Sequence, residues 1–312
     1  MQAARIHEFG GPEVIELEEV PVPRPGPEEV LVRVHAAGVG PWDAWIRGGK
    51  SVLPQPLPLT LGSDFSGVVI EVGPDVRGFE VGQPVFGVTN KQFTGAYAEY
   101  AAVRVAMIAN KPASLDHRHC AGIPVVAVTA LQMLVDVARV RAGQRVLVLG
   151  AGGNVGAYAI QLARLAGAYV IAADRGDGLD YARRLGPAEL VDTATTSLER
   201  AMAGIDIVID TVGGELAARA VSVLAPGGIL VSSVVEPKHA RTDVRAVFLL
   251  VDVTSKALET IADGLAGARL VARLGSVLPL ADARDAHLML AGAAPHLPGK
   301  IVLDVSTPTI KG

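Results

Sequence analysis

Seven residues, Gly150-Ala151-Gly152-Gly153-Asn154-Val155-Gly156, directly follow the apolar run RVLVL and lead into residues at helical spacing, AYAIQLARLAG. A tight turn out of a strand needs a residue without a Cβ. The start of a helix offers backbone N–H groups to an anion, and a last glycine lets the helix lie close to the strand. The chemistry served by this order is a grip on a pyrophosphate. Read back from Gly156 the spacing is A-x-G-x-x-G, with Ala151 where the first glycine of the usual fingerprint stands. A glycine motif alone is weak; its context makes it specific. Here a second strand, YVIAAD, follows the helix and ends in Asp174, placed to accept hydrogen bonds from an adenosine ribose. Arg175 comes next, a guanidinium suited to bidentate contact with a 2′-phosphate. Asp174 favours NADH and Arg175 favours NADPH, so mixed use of the two nicotinamides is expected. The candidate dinucleotide contacts are Gly150, Gly152, Gly153, Asn154, Val155, Gly156, Asp174 and Arg175.

Other suggestive stretches carry less. Asp116-His117-Arg118-His119-Cys120 gathers metal-binding residue types, but it follows Pro112 and reads as a helix start capped by Ser114 or Asp116. Helical residues two apart do not share a face, so no chelating pair is expected there. Cys120 is the chain's one cysteine, which excludes an internal disulfide and a cysteine-based zinc cage. GGKS at 48–51 has Ala44 where a phosphate-binding loop needs its first glycine, and no G-x-S-x-G occurs for a hydrolase elbow.

These residues must be positioned by a chain of 312 residues, 50% apolar and 19% charged, with a net charge of -4. That length allows two domains and a large core. The charge balance excludes the basic footprint of a nucleic-acid binder. The N-terminus MQAARIHEFGG lacks a secretory pattern, and the most apolar run, IPVVAVTALQMLVDVA, is broken by Gln132 and Asp136 and is too short to span a membrane. A soluble, cytoplasmic protein is expected. Up to about residue 120, short runs such as VIELEEVPVP, EVLVRVHAAGV, SGVVIEVG and QPVFGV are punctuated by Gly and Pro, which predicts an antiparallel β domain. Then the rhythm changes. RVLVLG, YVIAAD, ELVD, DIVIDTVG, GILVSSVV and AVFLLV alternate with helical stretches, which predicts a six-stranded parallel, doubly wound sheet. The tail from Thr254 begins as a helix and ends in LPGKIVLDV, a strand free to rejoin the first domain.

With these segments in hand the chain resembles the medium-chain dehydrogenase/reductase superfamily, in its zinc-free quinone oxidoreductase (zeta-crystallin-like) branch. The resemblance rests on AAGVGPWDAWIRGG (36–49), LGSDFSGVVIEVG (61–73), GAYAEY (95–100), AGQRVLVLGAGGNVGAYAIQLAR (142–164), APGGILV (225–231) and GKIVLDV (299–305). It implies an α/β protein: a GroES-like β domain over 1–121, completed by 254–312, and a Rossmann domain with a doubly wound parallel sheet over 122–253. It also implies a substrate cleft where the two meet. In zinc-dependent relatives a Cys stands at the position of Gly40 and a His at that of Ser63, and a four-cysteine lobe follows the position of Phe86. The stretch FGVTNKQFTGAY has no cysteine, so no metal is expected. Without a Lewis acid, alcohol oxidation loses its alkoxide stabiliser. The reading is therefore direct hydride transfer from NADPH or NADH to a small electron-poor acceptor, a quinone or an α,β-unsaturated carbonyl.

The resemblance further implies which residues face the chemistry. Trp45 stands where many quinone oxidoreductases carry a tyrosine, and Asn90, with Lys91 and Phe93, lies in the loop VTNKQFTG. Thr129 matches a threonine beside the nicotinamide, and Phe248 and Leu249 line its nicotinamide end. Trp45, Asn90 and Thr129 are the candidate catalytic residues. An indole donates a hydrogen bond but releases no proton at neutral pH, so solvent is the preferred proton source. AVFLLV, as the last strand of an open sheet, suggests pairing across a two-fold axis into a homodimer. An enoyl-thioester reductase and a non-catalytic NAD(P)H-binding protein stay open as alternatives.

Overall fold

The computed structural model describes residues 1–236 and 238–306. They divide into two compact units. One comprises Met1–Val125, Val253–Ala268 and the chain from Ala272; the other comprises Val126–Asp252 with 269–271.

The first unit is built mainly on antiparallel strands, as the Gly/Pro-punctuated runs predict, with one parallel pair where the tail strands Leu274–Pro279 and Lys300–Asp304 meet. A small sheet joins β1 (Gln2–Ile6), β2 (Glu16–Glu19) and β4 (Leu59–Thr60) in the order β2-β1-β4. The larger sheet runs β15-β16-β3-β5-β6-β8, with β7 also on β3. Its strands are β3 (Glu29–Val39), β5 (Asp64–Val72), β6 (Pro84–Val88), β7 (Tyr100–Arg104), β8 (Ile108–Asn110), β15 (Leu274–Pro279) and β16 (Lys300–Asp304). β3 does not alternate as its sequence suggests. Val30, Leu31, Val32, Val34, Ala36 and Ala37 are all buried, because both faces are covered and helix α2 (His117–Ala121) packs against the strand. The tail strand β16 pairs antiparallel with the end of β3, Ile301 opposite Val39 and Asp304 opposite Ala36. Asp116 caps α2 by accepting the His119 N–H at 2.8 Å. The two histidines of that helix take separate partners: His117 bonds Ser66 and stacks on His35, while His119 pairs with Asp116.

The second unit carries six parallel strands, β9 (Arg145–Leu149), β10 (Tyr169–Asp174), β11 (Glu189–Asp192), β12 (Ile205–Asp210), β13 (Leu224–Ser232) and β14 (Arg245–Phe248), in the order β11-β10-β9-β12-β13-β14. This is the doubly wound order of a dinucleotide fold. Helices α4 (Asn154–Leu165), α5 (Gly176–Arg184), α6 (Leu198–Ala201) and α7 (Gly214–Ala220) connect the strands. Leu147, Leu149, Ile171, Val208 and Leu230 form the centre of its core. The apolar run near residue 124 is helix α3 (Pro124–Leu131), which widens into a π-helical segment over Gln132–Val137. No helix among the described residues is long and apolar enough to cross a membrane.

The tail also holds α8 (Ser255–Ala266) and two elements not apparent in the sequence, β15 and α9 (Ala283–Leu290). Helix α9 brings His287 against α1 (Pro41–Arg47), where Arg47 Nη1 donates to His287 Nδ1 at 2.6 Å and the Tyr97 ring meets the imidazole edge-on. His287 is fully buried; burial and then the Arg47 charge push its pKa down to about 3. Its unfolded value is near 6.5, so below that pH the unfolded chain binds the extra proton. Stability from the neutral ring is complete above 6.5 and is lost as pH falls. We expect the wild type to lose stability relative to His287→Asn as pH is lowered from about 7.5 to 4.5, with a slope approaching about 1.4 kcal/mol per pH unit. Urea midpoints at several pH values measure this; a difference independent of pH refutes it.

Candidate functional site

In the second unit, β9 ends at Leu149 and the chain turns at Gly150, whose φ of +70 lies in the region that favours glycine. Helix α4 begins at Asn154 with Gly153 as its N-cap and no side chain capping it. The first backbone N–H groups of a helix have no acceptor within it. Here Asn154, Val155 and Gly156 supply them, because Ala157 is the first residue to bond back, to the Gly153 carbonyl at 2.9 Å. A glycine cap brings no oxygen to satisfy these donors, so they fit a pyrophosphate. A Cβ on Gly156 would stand 2.1 Å from the Gly150 carbonyl oxygen, and one on Gly152 would stand 2.1 Å from that of Gly178. The turn is thus packed backbone against backbone.

Asp174 does more than end β10. Its Oδ2 accepts the Gly152 N–H at 2.7 Å and its Oδ1 accepts the Arg175 N–H at 2.8 Å. A carboxylate offers about four lone-pair directions, so acceptor capacity is left for a ribose hydroxyl. Arg175 is exposed at the start of α5. Thr129 is buried in α3. Just beyond it, Gln132 in the π-helical segment exchanges two hydrogen bonds with the backbone of Asp252, donating at 2.8 Å and accepting at 3.1 Å. That exchange anchors the segment following β14. Phe248 ends β14 half exposed, and the Leu249 N–H donates to the Ser232 carbonyl at 2.8 Å.

In the first unit, α1 starts beside Gly40, and the corner around Gly40 and Ser63 is filled by protein. A Cβ on Gly40 would lie 2.3 Å from the Trp42 ring. The Trp42 Nε1–H donates to Ser63 Oγ at 2.9 Å, and Lys300 Nζ stands 4.3 Å from the indole centroid. Lys300 is buried and donates to Asp64 Oδ2 at 3.1 Å, while Asp64 Oδ1 accepts the Val125 N–H at 3.1 Å. Burial pushes the Asp64 carboxyl up and the Lys300 ammonium pulls it back. A glycine, a serine already engaged by an indole and a carboxylate bound to lysine do not make a zinc ligand set. Among the described residues, the one group of three such side chains within metal reach is His7, Glu16 and Glu18, of which His7 pairs with Glu18 at 2.6 Å.

The same helix carries Asp43, fully buried, whose Oδ2 accepts from the Gly40 N–H and the Tyr97 hydroxyl. Burial raises its pKa to about 7. Trp45 is 47% exposed. Asn90 uses its side chain on its own loop: Nδ2 donates to the Thr94 carbonyl at 2.7 Å, and Oδ1 accepts the Gln92 N–H at 3.0 Å. The candidate residues therefore fall into two groups, Trp45 and Asn90 in the first unit and the rest in the second.

The family model for the alcohol dehydrogenase GroES-like domain matches residues 26–113, and that for the zinc-binding dehydrogenase matches 154–258. The human quinone oxidoreductase is 36% identical over 73% of this chain and 71% of its own length; that of Sus scrofa is 33% identical over 92% and 93%. The chain belongs to the medium-chain dehydrogenase/reductase superfamily, among its quinone oxidoreductase-like members. The quinone oxidoreductase structure from Coxiella burnetii superposes with a TM-score of 0.88 at 30% identity, covering 98% of this chain and 99% of that one. A superfamily member of this kind is an oxidoreductase of a nicotinamide-using family. The fold class expected from the sequence is the one observed.

Sequence reasoning passed over Trp42, Asp43, Asp64 and Lys300. A signal for Trp42 was present: a glycine at a ligand position, with a large ring two residues on, leaves the ring room to fold back. Lys300 lay in a matching segment, but nothing local marked it as buried. The glycine turn yields a direct expectation. Gly156→Ala drives a methyl into the Gly150 carbonyl, so nicotinamide affinity should fall by about tenfold or more. Fluorescence titration with NADPH and NADH reads it; unchanged affinity would show that the close approach is dispensable.

Proposed function

We propose that the protein is a zinc-independent NAD(P)H-dependent reductase of quinones or α,β-unsaturated carbonyls. The observation that carries this reading is the filled corner, with Trp42 lying over Gly40 and Lys300 pairing with Asp64. No metal is needed when the acceptor is already electron-poor. The names of the human, Sus scrofa and Coxiella burnetii quinone oxidoreductases support the same substrate class.

A bound reduced nicotinamide supplies the hydride. The chain's own part begins at the start of α4, where Asn154, Val155 and Gly156 offer N–H groups to the pyrophosphate and Gly150, Gly152 and Gly153 keep the turn free of side chains. Asp174 and Arg175 meet the ribose end, and Thr129, Phe248 and Leu249 meet the nicotinamide end. Trp45 contributes an indole N–H donor. Asn90 acts through its loop rather than as a free amide, because its side chain is already bonded there. The product anion takes its proton from solvent, and the rate gain comes mainly from positioning. β14 is the edge strand of its sheet, which favours pairing with a second copy into a two-fold dimer.

NADPH and NADH consumption across a panel of quinones and enones, with and without a chelator, tests the reading. We expect turnover that the chelator leaves unchanged and less than stoichiometric zinc by elemental analysis. Nucleotide binding without turnover, or activity lost with the metal, refutes it. For the nicotinamide, the two kcat/KM values should lie within about tenfold, roughly 1.4 kcal/mol. Asp174→Asn keeps an acceptor for the Gly152 N–H and removes the charge, so it should move preference toward NADPH; Arg175→Ala should move it toward NADH. Ratios unchanged in both would remove these side chains from ribose recognition. Light scattering at micromolar concentration should give the mass of a dimer.

A further inference from the structure

The small sheet of the first unit ends on an open strand. Met1 and Val20 exchange both backbone bonds, at 2.8 and 2.9 Å, and exchanging pairs in an antiparallel ladder recur at every second residue. Ala3 with Glu18 and Arg5 with Glu16 are therefore the next such pairs along β1 and β2. The residues that alternate with them, Leu17 and Glu19, turn their N–H and C=O groups away from β1. β2 is the last strand of its sheet, and none of these four groups has a hydrogen-bond partner among the described residues.

Beside this edge lies a groove of about 510 Å³, built entirely within the first unit. Ile15, Glu16 and Leu17 line it on the strand side; Asp282, Arg284 and Asp285, where α9 begins, line it on the other. Arg284, the cation of the lining, is spent on backbone: its Nη2 donates to the Glu13 carbonyl at 2.8 Å and to that of Ile15 at 3.2 Å. The carboxylates of Glu16, Asp282 and Asp285 take part in no hydrogen bond or ion pair among the described residues. The groove therefore offers unmatched negative charge next to unmatched backbone donors and acceptors. Two copies of this edge would set glutamate against glutamate, which disfavours self-pairing. A strand of opposite charge meets no such penalty. Strand addition takes its affinity from main-chain bonds and its specificity from side chains at alternate positions.

We propose that this edge docks an extended, lysine- or arginine-containing segment of a partner protein, which adds to β2 as a fourth strand and lays its cations against Glu16, Asp282 and Asp285. None of these residues belongs to the reductase reading, so the inference stands or falls without it.

Fluorescence polarisation with the whole chain and a labelled pentapeptide, Lys-Val-Lys-Val-Lys, tests it. At about 3.4 Å per residue, five residues cover the length of β2. We expect saturable binding that Glu-Val-Glu-Val-Glu does not show, and that weakens by about tenfold or more between about 50 and 500 mM NaCl. N-methylation separates strand pairing from charge attraction alone. In an extended peptide the lysine N–H groups face one edge and the valine N–H groups the other. Methylating one set should cost about tenfold or more, and methylating the other should stay within about threefold. Asp282→Asn/Asp285→Asn should lower affinity by about tenfold or more, while Glu215→Gln/Glu259→Gln, an equal loss of charge elsewhere, should leave it within about threefold. No saturable binding, equal binding of the acidic peptide, equal effects of the two methylations, or unchanged affinity in Asp282→Asn/Asp285→Asn overturns the inference. So does a peptide affinity that falls as protein concentration rises, which would give the edge to a second copy of the chain. The methylation arm uses the unaltered protein and decides the matter if the double variant does not fold.

Discussion

One buried carboxylate connects three distant parts of the chain. Asp64, at the start of β5, accepts the Lys300 ammonium from β16 with one oxygen and the Val125 N–H, at the start of α3, with the other. The lysine stem reaches it past Gly38 and Gly122, where added Cβ atoms would come within 3.1 Å of it. Such a pair costs desolvation when it forms, and removing either partner leaves a buried charge, typically a loss of about 3–5 kcal/mol. Much follows from this arrangement. The ammonium sits over the Trp42 ring, and the ring covers Gly40 and engages Ser63.

The second unit solves its own problem by leaving things out. At the end of β9 the chain needs a turn, a helix start and a phosphate grip within a few residues. Side chains are excluded from all three, and the backbone supplies the donors. Asp174 holds the Gly152 N–H, and in the proposed reading it also faces the ribose end. Any drift in nicotinamide preference at this position therefore also touches the integrity of the turn. A substitution that only removes the charge separates the two tasks, while one that removes the oxygens does not.

Periodicity made the parallel strands legible, because strands buried on both faces read as continuous apolar runs, and six such runs became β9 to β14 in sequence. The glycine turn was legible because its requirements are local. β15 and α9 were not: LGSVLP is short, ends in proline and is only partly buried, and ARDAHLML spans barely two turns. Lys300 was also invisible in its role, since the side chains around it are brought together by strand pairing across most of the chain. The exposed appearance of VTNKQFTG concealed another fact, that the Asn90 amide closes the loop itself. Local chemistry is readable along a sequence, whereas chemistry assembled by long-range pairing is not.

β3 is shared along one edge by two strands of very different age. Its first half pairs with β7 and its last residues with β16. During synthesis β7 follows within the same stretch of the first unit, whereas β16 emerges only after the whole second unit has been made. At ribosomal rates of about 5–20 residues per second, that delay is on the order of tens of seconds. Through that interval the edge of β3 at residues 36–39 that β16 will cover lacks its final partner and Asp64 lacks its lysine. The second unit, continuous but for a three-residue return, can complete its six-stranded sheet first. The half-made first unit is then the species most in need of protection from pairing with the wrong strand in a crowded cell.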